Sequence, residues 1–308
     1  INTTIKNIKI TQFDTGVYLV KGANSSLVFN ITAINNTYGI YLQNSYNNLI
    51  KNNLANNNSA RGIAIQSGNG NLIQDNQANN NSQYGILIST GSNSVVINNT
   101  ANSNGYGIYL FFDSDNNTFY NNTMTSNRDY GVILSVSDGN VFDNNKMDLN
   151  GNNGIFMTGS KNNLFRNGYI NNSGNEAILI NDGASDNNTF SNITLTGTNS
   201  SYHDFRIKSS GADDTLLQDM LISNYSFSDN TFTFKNSLFG EVRFLQSIVG
   251  NGTNLTKDIR ITNNSAEVRS DLSIWLNKSA NITLYGIGNR GFSIPGILRN
   301  GASCGGLC

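Results

Sequence analysis

A four-residue pattern recurs along this chain with a period of about 23 residues: Gly39-Ile40-Tyr41-Leu42, Gly62-Ile63-Ala64-Ile65, Gly85-Ile86-Leu87-Ile88, Gly107-Ile108-Tyr109-Leu110, Gly131-Val132-Ile133-Leu134 and Gly154-Ile155-Phe156-Met157. It extends back to Gly16-Val17-Tyr18-Leu19 and forward to Ala177-Ile178-Leu179-Ile180. A second apolar column lies about eleven residues downstream, at Ile50, Ile73, Val96, Phe119, Phe142, Phe165 and Phe190. A third follows at Ala55, Ala78, Ala101, Met124, Met147, Ile170 and Leu195. Each segment is too short for a helix, and one period cannot bury its own apolar positions. Stacking successive coils about 4.8 Å apart solves both problems, because column residues then touch their counterparts while backbone groups pair between coils. Three columns imply three strands per coil, and nine or ten coils would make a rod about 45 Å long.

Composition agrees. Asparagine makes up about one residue in five. Inside helices these asparagines, the glycines and the β-branched residues would each cost up to about 1 kcal/mol relative to alanine. In stacked turns they are favourable, since Asn tolerates left-handed geometry and its amide both donates and accepts. Lys and Arg number 19 against 20 Asp and Glu, so there is no basic footprint for nucleic acid and no acidic tail. Apolar residues at 37% separate the chain from disordered compositions. No apolar run approaches the ~20 residues that span a bilayer. The chain starts at Ile1 rather than Met, which points to a removed leader or to a fragment, secretion being the more economical reading.

Asn53, Asn76, Asn99, Asn122 and Asn145 repeat with the same period between the second and third columns, so their side chains should stack as a structural ladder. At this point the sequence resembles the parallel β-helix repeat families, particularly the NosD-like and surface or adhesin-like proteins whose coils read N-x-I-x-x-N and G-I-x-L. The resemblance covers about residues 8–200. It implies an all-β, right-handed parallel β-helix, a fold that serves lyases, hydrolases, phage spikes and surface proteins alike. Leucine-rich repeats share the period but need a helical or irregular return, whereas the return here reads as a second strand.

After Leu195 the register loosens and a longer loop is expected before Tyr202-His203-Asp204-Phe205-Arg206-Ile207-Lys208. Strand-like runs at Thr231–Phe234 and Val242–Leu245 suit further coils, placing the β-helix over residues 1–256. Over 257–308, the runs 259–261, 266–268, 272–276 and 282–285 read as antiparallel strands of a small C-terminal β cap or assembly subdomain. Trp275 is expected in its core. Cys304 and Cys308, with three residues between them that include Gly305 and Gly306, suit a small disulfide rather than a metal site. This tail loosely resembles the C-terminal ends of some archaeal surface proteins.

Sequons at Asn2, Asn30, Asn57, Asn98, Asn121, Asn171, Asn192, Asn254 and Asn281 are candidates for covalent glycans. His203 is the only histidine, which excludes multi-histidine metal centres, and alternation puts it with Phe205 and Ile207 on one face. NosD proteins are linked with copper-site maturation, but Met124, Met147 and Met157 fall on apolar columns, so no copper cluster is read. Asp113, Asp115, Asp138, Asp182 and Asp186 read as turn formers, with weak calcium binding as the other role. Arg206, Asp204, Asp213 and Asp214 are the least implausible enzymatic cluster, and no catalytic residue or cofactor is assigned. Tyr38, Tyr84, Tyr106 and Tyr130 precede the repeat glycine and should line one outer edge, stacking on one another or on sugar rings. The expectation is an extracellular, glycosylated cell-surface or filament subunit, such as an S-layer component, that self-associates head to tail through β-helix ends. The competing reading is a polysaccharide-binding or polysaccharide-degrading β-helix, a lyase or a hydrolase.

Overall fold

A computed structural model describes residues 2–287, with the backbone of 298–299 and 302–303. Cys304 and Cys308 lie outside the described residues, as does the disulfide expected between them. Among the described residues the Gly-Ile-x-Leu column forms an 11-stranded sheet and the Ile50-to-Phe190 column a 13-stranded sheet. Register advances by one period per coil: Ile40 pairs with Ile63, Ile63 with Ile86 and Ile86 with Ile108, all in parallel. The third side is thinner. It opens with Lys9–Thr11 on Thr32–Ile34, narrows to single bridges through Leu54, Gln77 and Thr100, and widens to four strands from Thr123–Thr125 to Thr194–Thr196.

The three columns meet inside. Ile40, Ile63, Ile86, Ile50, Ile73 and Ala55 are fully buried, so neighbours along the period share one environment. Phe119, Phe142, Phe165 and Phe190 stack ring on ring at 4.3, 4.6 and 5.3 Å. Each such pair adds about 0.5–1.5 kcal/mol beyond its burial. The repeat glycine is set by space: a Cβ on Gly39 would lie 2.6 Å from the Gly62 carbonyl oxygen and 2.9 Å from the Ala55 Cβ.

Each of the three corners is built the same way, from an outward residue in the left-handed region followed by an inward Asn or Ser. Asn98 has φ 56°, and the next residue, Asn99, is buried. Asn99 Oδ1 accepts the backbone N–H and the side-chain Nδ2 of Asn76, both at 2.9 Å, while its own Nδ2 donates to the Ile73 carbonyl at 2.8 Å and to Asn122 Oδ1 at 3.0 Å. Asn53, Asn76, Asn122 and Asn145 repeat this arrangement. Two further ladders occupy the other corners: Asn58, Asn81, Asn104, Asn127 and Asn150, and Asn48, Asn71, Ser94, Asn117, Asn140 and Asn163. Both carry the same sequence period as the first, and that period was the signal by which they could have been found.

Parallel pairing stops earlier than residue 256. The parallel strand Phe232–Asn236 is followed by Gly240–Phe244, which turns back antiparallel onto it, so Val242–Phe244 belongs to the cap and not to another coil. Ala280–Leu284 extends that sheet, and Ile248–Gly252 closes the 11-stranded sheet against Tyr225–Asn230, also antiparallel. A hairpin of Ile259–Thr262 and Ser265–Val268 adds a further antiparallel pair to the cap. The expected strand over 272–276 is instead a 3₁₀ turn at Ile274–Leu276, because Ser273 lies buried against Asp258 while Leu272 and Ile274 face solvent.

Removing a ladder amide should be costly out of proportion to its size. Asn99→Ala leaves the Asn76 N–H and side-chain amide without their acceptor inside the wall and takes one donor from the Ile73 carbonyl, and a loss of about 1–3 kcal/mol is expected. Asn121→Gly, on the exposed side of the next corner, keeps the left-handed turn and should change stability by under about 0.5 kcal/mol. Urea midpoints of the two variants at unchanged slope check the contrast.

Candidate functional site

One outer row of the 11-stranded sheet collects most of the unusual side chains. Tyr38, Arg61, Tyr84, Tyr106 and Tyr130 sit in register on successive coils. The Arg61 guanidinium fills the break in the tyrosine series, 5.2 Å from the Tyr38 ring and 5.7 Å from that of Tyr84. Tyr84 stacks on Tyr106 at 5.3 Å and Tyr106 on Tyr130 at 5.6 Å. The ring faces are therefore spent on one another, leaving edges and hydroxyls outward, which favours coil-to-coil stabilisation over sugar stacking. In the neighbouring row Tyr18 and Tyr41 lean one coil onward and donate to Gln43 and Gln66.

Beyond Tyr130 the same row becomes polar, passing through Asn153, Glu176 and His203. Glu176 is buried, accepting from the Arg206 guanidinium at 2.9 Å and from Asn153 Nδ2 at 3.0 Å. Burial alone would raise its pKa, but the Arg206 hydrogen bond, its own backbone amide and Asn153 together hold the carboxyl below the usual range. His203 is not on the Phe205 and Ile207 face. The chain bends before the strand, so Asp204 turns inward and accepts the Ser223 N–H at 2.9 Å, while His203 stays half-buried at the surface. Burial, then the Arg206 charge, lowers the imidazole pKa below 6.5, and its Nδ1 is buried without a partner.

His203 lies on the wall of a cleft of about 510 Å³ where the inserted loop meets the cap. Tyr202, Asn224, Asn251, Asp258, Ser273 and Trp275 line it as well. Asp258 accepts the Tyr225 hydroxyl at 2.8 Å and the Ser273 hydroxyl at 2.7 Å, and the Trp275 indole N–H donates to the Tyr225 oxygen at 3.1 Å. Burial, with Asp258 as acceptor, pushes the Tyr225 phenol up to about 12. Trp275 is half-buried and rests on Gly250, where a Cβ would come within 2.3 Å of its ring. It is thus both cap core and cleft wall. Asn254 caps the short helix Leu255–Asp258 that delivers Asp258, accepting the Lys257 N–H at 2.8 Å.

The other candidates are spread out. Arg206 is held by Glu176, Asp213 accepts the Thr231 N–H at 2.7 Å and Asp214 pairs with Arg243 at 3.2 Å, so the four-residue cluster does not converge. Asp115, Asp138 and Asp182 accept backbone N–H groups of neighbouring turns, Asp186 pairs with Lys161, and Asp113 sits in a left-handed turn. Among the described residues no group of three or more His, Cys, Asp or Glu side chains could hold a metal ion. Among the sequons, Asn2, Asn30, Asn57, Asn98, Asn121, Asn192 and Asn281 are exposed, and Asn171 and Asn254 are half-buried. The amides of Asn30, Asn98, Asn121, Asn171 and Asn192 donate to side chains one coil back.

Glu176 gives the site a pH signature. Its folded pKa is depressed, so the stability it contributes is full above the unfolded carboxylate value of about 4.5 and is lost as pH falls through the folded value. Thermal midpoints of the native chain should fall in that acid window, and Glu176→Gln should flatten the fall while lowering stability at neutral pH.

Two family models match the sequence: "Periplasmic copper-binding protein (NosD)" over residues 1–129 and "Right handed beta helix region" over residues 66–195. Among the described residues the donor set does not fit copper: His203 is the sequence's one histidine, and Met124, Met147, Met157 and Met220 are buried in the core. No curated protein matches the sequence. The mannuronan C-5 epimerase AlgE4 A-module of Azotobacter vinelandii is similar in structure at 14% identity, with a TM-score of 0.57 over 70% of this chain and 75% of that one. A mutant of the periplasmic alginate epimerase AlgG is similar at 14% identity and a TM-score of 0.51, over 65% of this chain and 63% of its own. The chain thus spans a little under two thirds of that epimerase, and at such identity the likeness is one of fold. No described helix is long and apolar enough to cross a membrane. Repeat, parallel register, corner ladders and family models agree that the chain belongs to the right-handed parallel β-helix repeat proteins.

Proposed function

We propose that this chain is an exported interaction protein that binds a polysaccharide, with the β-helix as a rigid support and the coil–cap cleft as the point of contact. The observation that carries this is the cleft itself, where Trp275 and Tyr202 stand beside the amides of Asn224 and Asn251. Apolar surface with a few convergent hydrogen-bonding groups is what a polyol needs, and the volume is in the range of about 300–1,000 Å³ usual for small-molecule sites. Binding rather than turnover is supported by the lining, where Asp258 is the one carboxylate among the described lining residues, whereas glycoside hydrolysis uses a facing pair. Export is supported by the periplasmic descriptions of the NosD model and of AlgG, and by exposed sequons able to carry glycans. A panel of neutral and acidic polysaccharides titrated onto the intact protein tests the reading. Saturable binding without release of reducing ends or unsaturated products is expected, and turnover would replace it with an enzymatic one.

A second reading, a surface or filament subunit joined head to tail, is favoured by the two ends. Thr4–Lys6 and Thr15–Leu19 pair on one side only among the described residues, with Ile8, Phe13, Tyr18 and Val20 exposed beside them. Ala280–Leu284 and Ile248–Gly252 end the same two sheets in the cap, exposing Ile282 and Val249. Such edges join to another chain unless covered. Sedimentation across a wide concentration range should show growing oligomers; a constant monomer mass removes this reading.

A further inference from the structure

From the lining of the coil–cap cleft we infer that the glycan held there is neutral, an uncharged hexose-based oligosaccharide, and that a polyuronate is rejected. The inference rests on the glycan-binding reading above and adds to it the site and the charge class of the ligand.

Among the described residues that line the cleft there is no lysine or arginine. The one acidic side chain in the wall is Asp258, fixed at the cleft floor by the hydroxyls of Tyr225 and Ser273. A sugar carboxylate entering the cleft would meet that carboxylate with no cation to offset it. Recognition of such a group usually rests on arginine, whose paired N–H groups match it. Of the cations in the flanking segments, Lys208 and Lys257 are exposed and outside the lining, and two arginines are paired. Arg206, which follows His203, is held by Glu176 at 2.9 Å, and Arg269 lies between Glu267 and Asp271. His203 supplies no charge near neutrality, because burial and Arg206 disfavour its protonated form.

What the wall does offer suits hydroxyls. Asn224 and Asn251 can each donate and accept, as vicinal hydroxyls require. Leu272, Tyr202 and Trp275 give the wall apolar surface against which the C–H face of a pyranose ring can lie. The hydroxyls of Ser200 and Ser201 on the inserted loop complete the rim. An additional coil in perfect register would have no such concavity: the cleft exists because the loop at 197–203 leaves the repeat and the cap stops short of it.

The test is calorimetric titration of the intact protein with short gluco- and manno-oligosaccharides and, separately, with oligomannuronate of matched length. At least one neutral series should bind at least tenfold more tightly than the uronate. Asn251→Ala and Tyr202→Ala, both at the surface, should weaken neutral binding about tenfold with unchanged thermal midpoints. Asn251→Lys, which adds the missing cation, should narrow or reverse the preference for neutral sugar. Uronate binding as tight as neutral binding in the unmodified protein overturns the inference and leaves the glycan reading standing. Neutral binding undiminished in all three variants overturns it too, by moving the site elsewhere. If neither sugar class binds the unmodified protein, both the inference and the reading it rests on fall.

Discussion

The inward amide at each corner is the contact on which this molecule depends. A coil that turns three times must aim backbone groups into a wall that water does not reach, and an unpaired buried polar group costs about 1–3 kcal/mol. Asn solves this with one side chain: Oδ1 of Asn99 takes two donors from the coil before, and its Nδ2 goes to a carbonyl and to the next amide. The residue ahead of it must enter the left-handed region, which costs most L-residues about 1–2 kcal/mol and Asn less. Two physical demands at adjacent positions thus select the same residue type, and repeated over three corners they account for the asparagine content.

Because every coil is held by its neighbours, function is expected where the stacking is interrupted. The regular part stacks the tyrosines of its outer row on one another, with Arg61 filling the break between Tyr38 and Tyr84. Past Tyr130 the row turns polar at Asn153 and ionisable at Glu176 and His203, next to the loop that breaks the period. There the buried polar groups are tied into two clusters, Glu176 with Arg206 and Asn153, and Asp258 with Tyr225 and Ser273. Between them the surface is left concave. The antiparallel cap ends the sheets and supplies half of that concavity, so the terminus of the solenoid and the candidate site are one construction.

The period alone determined the stacking, the three apolar columns and the first ladder, because residues one repeat apart in the sequence occupy equivalent places and pattern maps directly onto contact. The other two ladders at Asn58 and Asn48 were legible by the same rule. What the sequence could not decide lies where equivalence fails. Alternation placed His203 beside Phe205, whereas the bend at Asp204 sends it to the surface. The run Val242–Leu245 has the alternation of another coil, yet Gly240–Phe244 reverses onto Phe232–Asn236, because period-two patterning is identical for parallel and antiparallel neighbours. His203 is dozens of residues from Asp258 and Trp275 in the sequence, so only the tertiary structure could bring them to one cleft. Local spacing encodes contacts between like coils; contacts between unlike parts are decided by how the chain folds back in space.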